Sequence, residues 1–230
     1  MNKKLPGYML GLINIKCANT RQYMWLYENR CEHRHRYTLH FNCFLKDYEI
    51  SERVGFVDIE TSNLKANFGL MLCWCILSDD NQMYSDTMTA ADVKSGDEDK
   101  RVVESCIACM KTFDRVCGYY STYFDIPYIR TRALIHGIPF PEIGSMYHTD
   151  VWKMARKVLC LHSNRQAVVA EALYGKTVKT RICHSDWRKA MTGNKKSMDE
   201  VLDHCERDVE DLRKNYYTLL PYYKICKSSV

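Results

Sequence analysis

The hydrophobic pattern divides the chain near residue 50. After that point apolar positions fall into runs with a readable period, and before it they do not. Val54, Phe56, Val57 and Ile59 in VGFVDIETSNL (Val54–Leu64) have the apolar, β-branched density of a buried strand over 54–60. Gly69–Ile76 is a second near-continuous apolar run and Gln82–Asp86 predicts a short third strand, which together make an antiparallel meander. Asp97–Phe113 changes to a helical period, with Val102, Val103, Cys106, Met110 and Phe113 on one stripe. Arg115–Tyr119 returns to strand. Asp125–His136 predicts a helix with Pro127 in its first turn and Gly137 as its stop. Ser145–Asp150 predicts the last strand. Helices follow over Val151–Leu159, over Asn164–Tyr174 (ended by Gly175) and over Asp186–Met191. The longest helix, Ser197–Leu219, turns Met198, Val201, Leu202, Cys205, Val209, Leu212 and Tyr216 toward the core.

The order βββ-α-β-α-β-α predicts an α/β fold with a mixed sheet, three leading antiparallel strands and then alternating helices and strands. Active sites in such sheets lie beyond the carboxyl ends of strands. Residues 51–230 read as one domain and residues 1–50 as a small Cys/His-rich appendage, with no internal repeat and no Pro/Gly/Ser-rich linker between large domains.

Composition narrows the class. At 230 residues, 46% hydrophobic and 27% charged, the chain is long enough for one substantial core and ordinary for a soluble globular protein. The uncharged stretch Ala66–Ser78 is too short for the ~20 apolar residues that span a bilayer. Lysines precede an apolar run in MNKKLPGYMLGLINIK, as in a signal peptide, but Pro6, Gly7 and Gly11 break it. The expectation is a soluble, cytoplasmic protein without a membrane partner. Of its twelve cysteines, Cys73, Cys75, Cys106 and Cys109 sit in core-like strings and read as small buried hydrophobes rather than a disulfide framework. Net charge is +5, and Lys153–Lys196 alone carries eleven Lys and Arg against Glu171 and Asp186. Such a stretch suits either a polyanionic partner or a solvated helical face.

In the first 50 residues Cys31, His33, His35, His40 and Cys43 crowd together in CEHRHRYTLHFNC. Read as Cys31-x3-His35-x4-His40-x2-Cys43, they offer four ligands to one tetrahedral zinc; His33 can replace His35, and Cys17 can enter from outside. A basic, His-rich surface loop is the other reading, given Arg30, Arg34 and Arg36.

Acidic residues carry the remaining chemistry. Asp58 and Glu60, two apart on a strand, emerge on one side about 7 Å apart along the chain. Burying both is costly unless a cation meets them. Asp125 opens a helix after a strand, as an N-cap does. His204 and Asp208, four apart, share a helix face, as solvated residues also do. Four such carboxylates converging on one point would bind Mg²⁺ or Mn²⁺, and two ions stabilise both oxygens of a phosphodiester displacement.

DIET, FDIPYIRTRA and HCERDV resemble, in order, the three motifs of the DEDD 3′-5′ exonucleases of the ribonuclease H-like fold, and most the group related to the proofreading domain of family-B DNA polymerases. YHTDVWKMARKVLCLHSNRQAVVAEALYGKT is similar to that group's segment between motifs, and the likeness covers about Ser51–Tyr222. It implies Asp58, Glu60, Asp125 and Asp208 as ligands of two Mg²⁺ or Mn²⁺ ions, and a hydrolase that trims single-stranded DNA or RNA ends. The family keeps Tyr four residues, or His five, before the last Asp; here His204 stands at the tyrosine spacing and Asp203 at the histidine spacing. An imidazole there can deprotonate the attacking water. Tyr120 replaces the Asn that relatives often carry five before Asp125, and Tyr119, Tyr120 and Tyr123 either stack on a terminal base or pack. Lys153, Lys157, Asn164 and Arg165 are candidate phosphate contacts, and Asp150 is a supporting acid or simply a helix cap. An endonuclease on the same fold and a zinc-containing nucleic-acid-binding module with an idle centre are the alternatives.

Overall fold

The computed structural model describes residues 5–13, 15–176 and 182–224, without the side chains of Cys17 and His184. Cys17 as a ligand, and Lys179 and Arg181 of the basic stretch, therefore lie outside what is described. The chain forms two compact units, Met1–Glu52 and Arg53–Val230.

The first unit has two helices that apolar periodicity alone does not announce, α1 (Thr20–Glu28) and α2 (Phe41–Asp47). Local chemistry starts α1. Asn19 accepts from the Gln22 amide at 3.0 Å and Gln22 Oε1 accepts from the Asn19 amide at 2.9 Å, a reciprocal cap. A small aromatic core holds the unit, with Met9, Leu26, Tyr37 and Phe44 buried and Trp25 stacked on Tyr37.

In the second unit, among the described residues, β1 (Val54–Thr61), β2 (Met71–Ser78), β3 (Met83–Thr87), β4 (Arg115–Gly118) and β5 (Tyr147–Asp150) form one sheet in the order β3-β2-β1-β4-β5. The β1–β2 and β2–β3 pairs are antiparallel and the β1–β4 and β4–β5 pairs parallel, so the predicted α/β mixed sheet is the observed one. Its helices are α3 (Ala90–Ser95), α4 (Lys100–Met110), α5 (Asp125–His136), α6 (Val151–Val158), α7 (Gln166–Tyr174), α8 (His184–Met191) and α9 (Lys195–Leu219). Helix α3 is an addition to the expected order. It has no apolar stripe and is set by a Thr89–Asp92 capping box.

Strand parity assigns the two faces of the sheet. Phe56 packs edge-on against Tyr216 of α9, while Trp74, paired with Ile59, donates its indole N–H to Ser105 of α4. Phe56 and Ile59 are an odd number of residues apart, so α9 and α4 cover opposite faces. Asp58 and Glu60 share the parity of Phe56 and therefore face α9; the Cys205 thiol of α9 reaches the Asp58 carbonyl at 3.4 Å. The β1–β2 register shifts between Glu60 and Thr61, a bulge at the acidic end of the strand. Bulges of this kind re-aim side chains beside active sites. Behind the site, a buried ionic cluster ties three elements together. Asp99 accepts from the Met71 amide at 2.7 Å, from Arg132 Nε at 2.9 Å and from His136 Nε2 at 2.7 Å. Cys73, Cys75 and Cys106 are fully buried thiols, as their setting predicts, whereas Cys109, at the end of α4, is only half-buried. Among the described residues, no helix is long and apolar enough to cross a membrane.

Candidate active site

The carboxyl end of β1 and the middle of α9 supply the acids. His204 Nε2 lies 3.6 Å from Glu60 Oε1 and 3.9 Å from Asp208 Oδ2, and donor atoms of the three residues all lie within 4.8 Å of one another. The i,i+4 spacing on α9 brings His204 and Asp208 to one face, and burial excludes the solvated-face alternative, since they are 9% and 5% exposed. Gln166 of α7 fixes that part of α9 by donating to the Asp208 carbonyl at 2.6 Å. Asp58 and Asp208 line one open cleft of about 500 Å³ together with Tyr119, Tyr120, Trp152, Arg165, Gln166 and Ala167.

Asp125 stands at the first residue of α5, with no side-chain capping bond from Phe124 before it. It is 3% exposed, and burial pushes its carboxyl up to about 7, opposed by hydrogen bonds from its own amide and that of Ile59 and aided by the nearby Asp150 charge. The Ile59 contact puts Asp125 against the strand segment between Asp58 and Glu60. A buried carboxylate beside a second acid is the setting that a bound cation relieves.

Asp150 is the helix cap that the sequence allowed. It caps α6 through the Trp152 amide at 3.0 Å, and it accepts from the Tyr120 and Thr122 amides, each at 3.0 Å. Tyr120 is thereby held at φ 61°, in the left-handed region. The three tyrosines separate in role. Tyr119 is tied down, its hydroxyl donating to the Asn164 carbonyl at 2.6 Å. Tyr120 and Tyr123 are 46% and 55% exposed, with ring centroids 5.0 Å apart and 5.1 and 6.0 Å from Trp152. Lys153 lies over Tyr123 and Arg156 over Trp152.

The candidate phosphate contacts scatter. Arg165 lines the cleft and Lys153 edges the aromatic patch, while Lys157 lies over Tyr223 and Asn164 takes the Tyr119 hydroxyl on its backbone. Trp152 and Gln166 line the cleft although neither is among the candidates the sequence offers. Trp152 had one usable signal, its place two residues after the capping Asp150 at the mouth of a parallel strand.

In the N-terminal unit, Cys31, His33, His40 and Cys43 bring one donor atom each within 4.8 Å of the others. This corrects the ligand set read with His35. The Arg34 amide bonds back to the Cys31 carbonyl, and Arg34 adopts φ 63°, reversing the chain. That reversal puts His33 beside Cys31. His35 lies on the returning limb and packs its ring 4.1 Å from that of His40.

Comparisons with known proteins bear on the fold. A family model described as the RNase_H superfamily matches residues 55–220. No curated protein matches the chain. Among solved structures, the chain is similar to the family B DNA polymerase from the hyperthermophilic archaeon Pyrobaculum calidifontis, with a TM-score of 0.61 and 18% identity. The match covers 75% of this chain and 25% of the polymerase, so the chain spans about a quarter of that protein's length; at this identity the likeness is one of fold. With the sheet order, the acidic end of β1 and a family match running from β1 to the end of α9, the chain belongs to the ribonuclease H superfamily and carries its nuclease fold.

Proposed function

We propose that the protein is a metal-dependent 3′-5′ exonuclease acting on single-stranded nucleic-acid ends. One observation carries the reading: Glu60, His204 and Asp208 converge within 4.8 Å at the end of the central strand, in a neighbourhood that Asp58 shares through its cleft with Asp208. The donors are mostly carboxylate oxygens, which suit Mg²⁺ or Mn²⁺. Asp58, Glu60, Asp125 and Asp208 would hold the ions. Such ions, when bound, stabilise charge on the attacking and leaving oxygens of a phosphodiester.

The chain's own residues do the rest. His204, within 4 Å of Glu60 and Asp208, accepts a proton from the attacking water. Gln166 holds the turn of α9 that carries Asp208. Arg165, at the cleft wall, meets a phosphate. Exposed Tyr120 and Tyr123 offer ring faces to unpaired bases, which favours a single strand over a duplex. Described cysteine side chains are thiols, which fits a reducing, cytoplasmic compartment.

The test is cleavage of 5′-labelled DNA and RNA strands with Mg²⁺ or Mn²⁺. A descending ladder is expected; one or few internal products would make the protein an endonuclease instead. Asp208→Asn abolishes cleavage with an unchanged circular dichroism spectrum, and full activity in that variant overturns the assignment.

A further inference from the structure

The Cys/His cluster of the N-terminal unit plays no part in the nuclease reading and stands on its own geometry. Cys31 Sγ lies 3.7 Å from His33 Nδ1 and 4.0 Å from His40 Nδ1, and Cys43 Sγ lies 3.6 Å and 3.9 Å from the same two nitrogens. Zn–S bonds of about 2.3 Å and Zn–N bonds of about 2.05 Å at tetrahedral angles set the sulfur–nitrogen edge at about 3.6 Å. Four edges close to that length run alternately through sulfur and nitrogen. Hydrogen bonding does not account for them, because an imidazole Nδ1 has one proton or one lone pair and here each faces two sulfurs.

The backbone builds the cluster from two short pieces. The Cys31 amide donates to the His35 carbonyl at 3.0 Å and the Arg34 amide to the Cys31 carbonyl at 2.9 Å, closing a tight turn that carries Cys31 and His33. Arg30 Nη1 braces it by donating to the Arg34 carbonyl at 2.9 Å. The other pair comes from the start of α2, where His40 precedes the helix and Cys43 follows three residues on, with its amide bonded to the His40 carbonyl. His35 contributes its backbone carbonyl to the turn and its ring to the flank of His40, the place of a supporting neighbour.

We propose that Cys31, His33, His40 and Cys43 bind one zinc ion through two thiolates and two Nδ1 atoms, and that this ion holds the N-terminal unit folded. All four coordination positions are filled by protein, so no position is open for substrate and the role is structural. The need follows from size. A unit of about 50 residues with one small aromatic core is marginal, the size range in which a staple adds the missing stability, and its described cysteines form no disulfide to supply one. Zinc binding and folding of the unit are then one event.

The experiment uses the full chain, purified under reducing conditions without added metal. Zinc is counted by mass spectrometry, and Co²⁺ is exchanged in to read the visible bands of a tetrahedral two-thiolate site. One zinc per chain is expected. His33→Ala weakens zinc binding by more than about 100-fold, whereas His35→Ala, at a supporting neighbour, weakens it by about 10–100-fold. Removal of zinc from the wild-type chain exposes residues 1–52 to protease while the remainder stays protected. Wild-type protein that carries no zinc and takes up neither zinc nor Co²⁺ overturns the site. Loss of metal in His35→Ala with retention in His33→Ala overturns the ligand set. Unchanged protease resistance after zinc removal overturns the structural role. Because the readouts are metal content, absorption and proteolysis, they stand whether or not the nuclease assignment does.

Discussion

Replacing Arg132 with Met tests whether the ionic cluster behind the site organises it. Arg132 is 3% exposed and bonds Asp99 through Nε at 2.9 Å and Nη2 at 2.5 Å, Glu98 at 2.6 Å and the Ala66 carbonyl at 3.1 Å. Asp99 is fully buried, so Arg132→Met leaves its carboxylate with the Met71 amide and His136 and no arginine. Removing one partner of a buried pair costs about 3–5 kcal/mol, because the remaining charge stays desolvated. Methionine fills most of the volume, so little of that cost is cavity. In a chain of this length the same loss lowers the melting temperature by about 6–20 °C. The assay is urea unfolding followed by circular dichroism, with the midpoint falling and the slope unchanged. A double-mutant cycle with Asp99→Asn isolates the pair, and the double variant should be at least about 1 kcal/mol more stable than the sum of the singles. An Arg132→Met cost below about 1 kcal/mol, the worth of an exposed pair, would refute the reasoning. The effect reaches the site through two elements. Asp99 anchors Met71, which pairs with Thr61 beside the bulge, and Arg132 sits two turns along α5 from Asp125. Arg132→Met should therefore lower cleavage at temperatures where the chain is still folded.

Three further outcomes are expected. His204→Ala should slow cleavage by about 100-fold or more at neutral pH and flatten the rate profile in that range; an unchanged rate would remove His204 from the chemistry. His148 is held near a pKa of about 4, chiefly by burial, and contacts Ser121 at 2.8 Å. A folded pKa below the unfolded 6.5 means stability present above pH 6.5 and lost as pH falls toward 4, on the order of 3 kcal/mol. Urea midpoints measured between pH 7 and 4 should lose that slope in His148→Gln, and an identical slope in the variant would assign it elsewhere. Gly118→Ala would set its Cβ against Ser121 Cβ and 2.6 Å from Ser121 Oγ, so a cost of about 1–3 kcal/mol is expected in thermal unfolding, and a neutral outcome would show that the loop yields.

How much could be read beforehand depends on the range of the forces involved. Helix α5 matched its predicted limits because Pro127 and Gly137 act locally. Asp58 and Glu60 were legible because strand parity is a property of adjacent residues, and His204 with Asp208 because helix phase is. The ionic cluster was not, since Asp99 meets Arg132 across 33 residues of chain and its own neighbourhood reads only as a helix start. The choice of His33 over His35 turned on one left-handed residue, Arg34, which residue spacing does not encode. Helix α1 has a readable signal in Asn19 and Gln22, and α3 in Thr89 and Asp92, but neither carries the apolar stripe of the longer helices. Trp152 enters the site because β5 runs parallel to β4, a pairing fixed by the whole sheet.

Tyr120 carries a consequence for how substitutions at this turn combine. A bulky residue at φ 61° costs roughly 1–2 kcal/mol relative to glycine or asparagine, which tolerate that conformation. Asp150 offsets the cost by accepting the amides on either side of the turn. Positions 120 and 150 are therefore expected to be coupled: Asp150→Ala should cost more stability beside Tyr120 than in a Tyr120→Asn background, and thermal unfolding of the two pairs reads the difference.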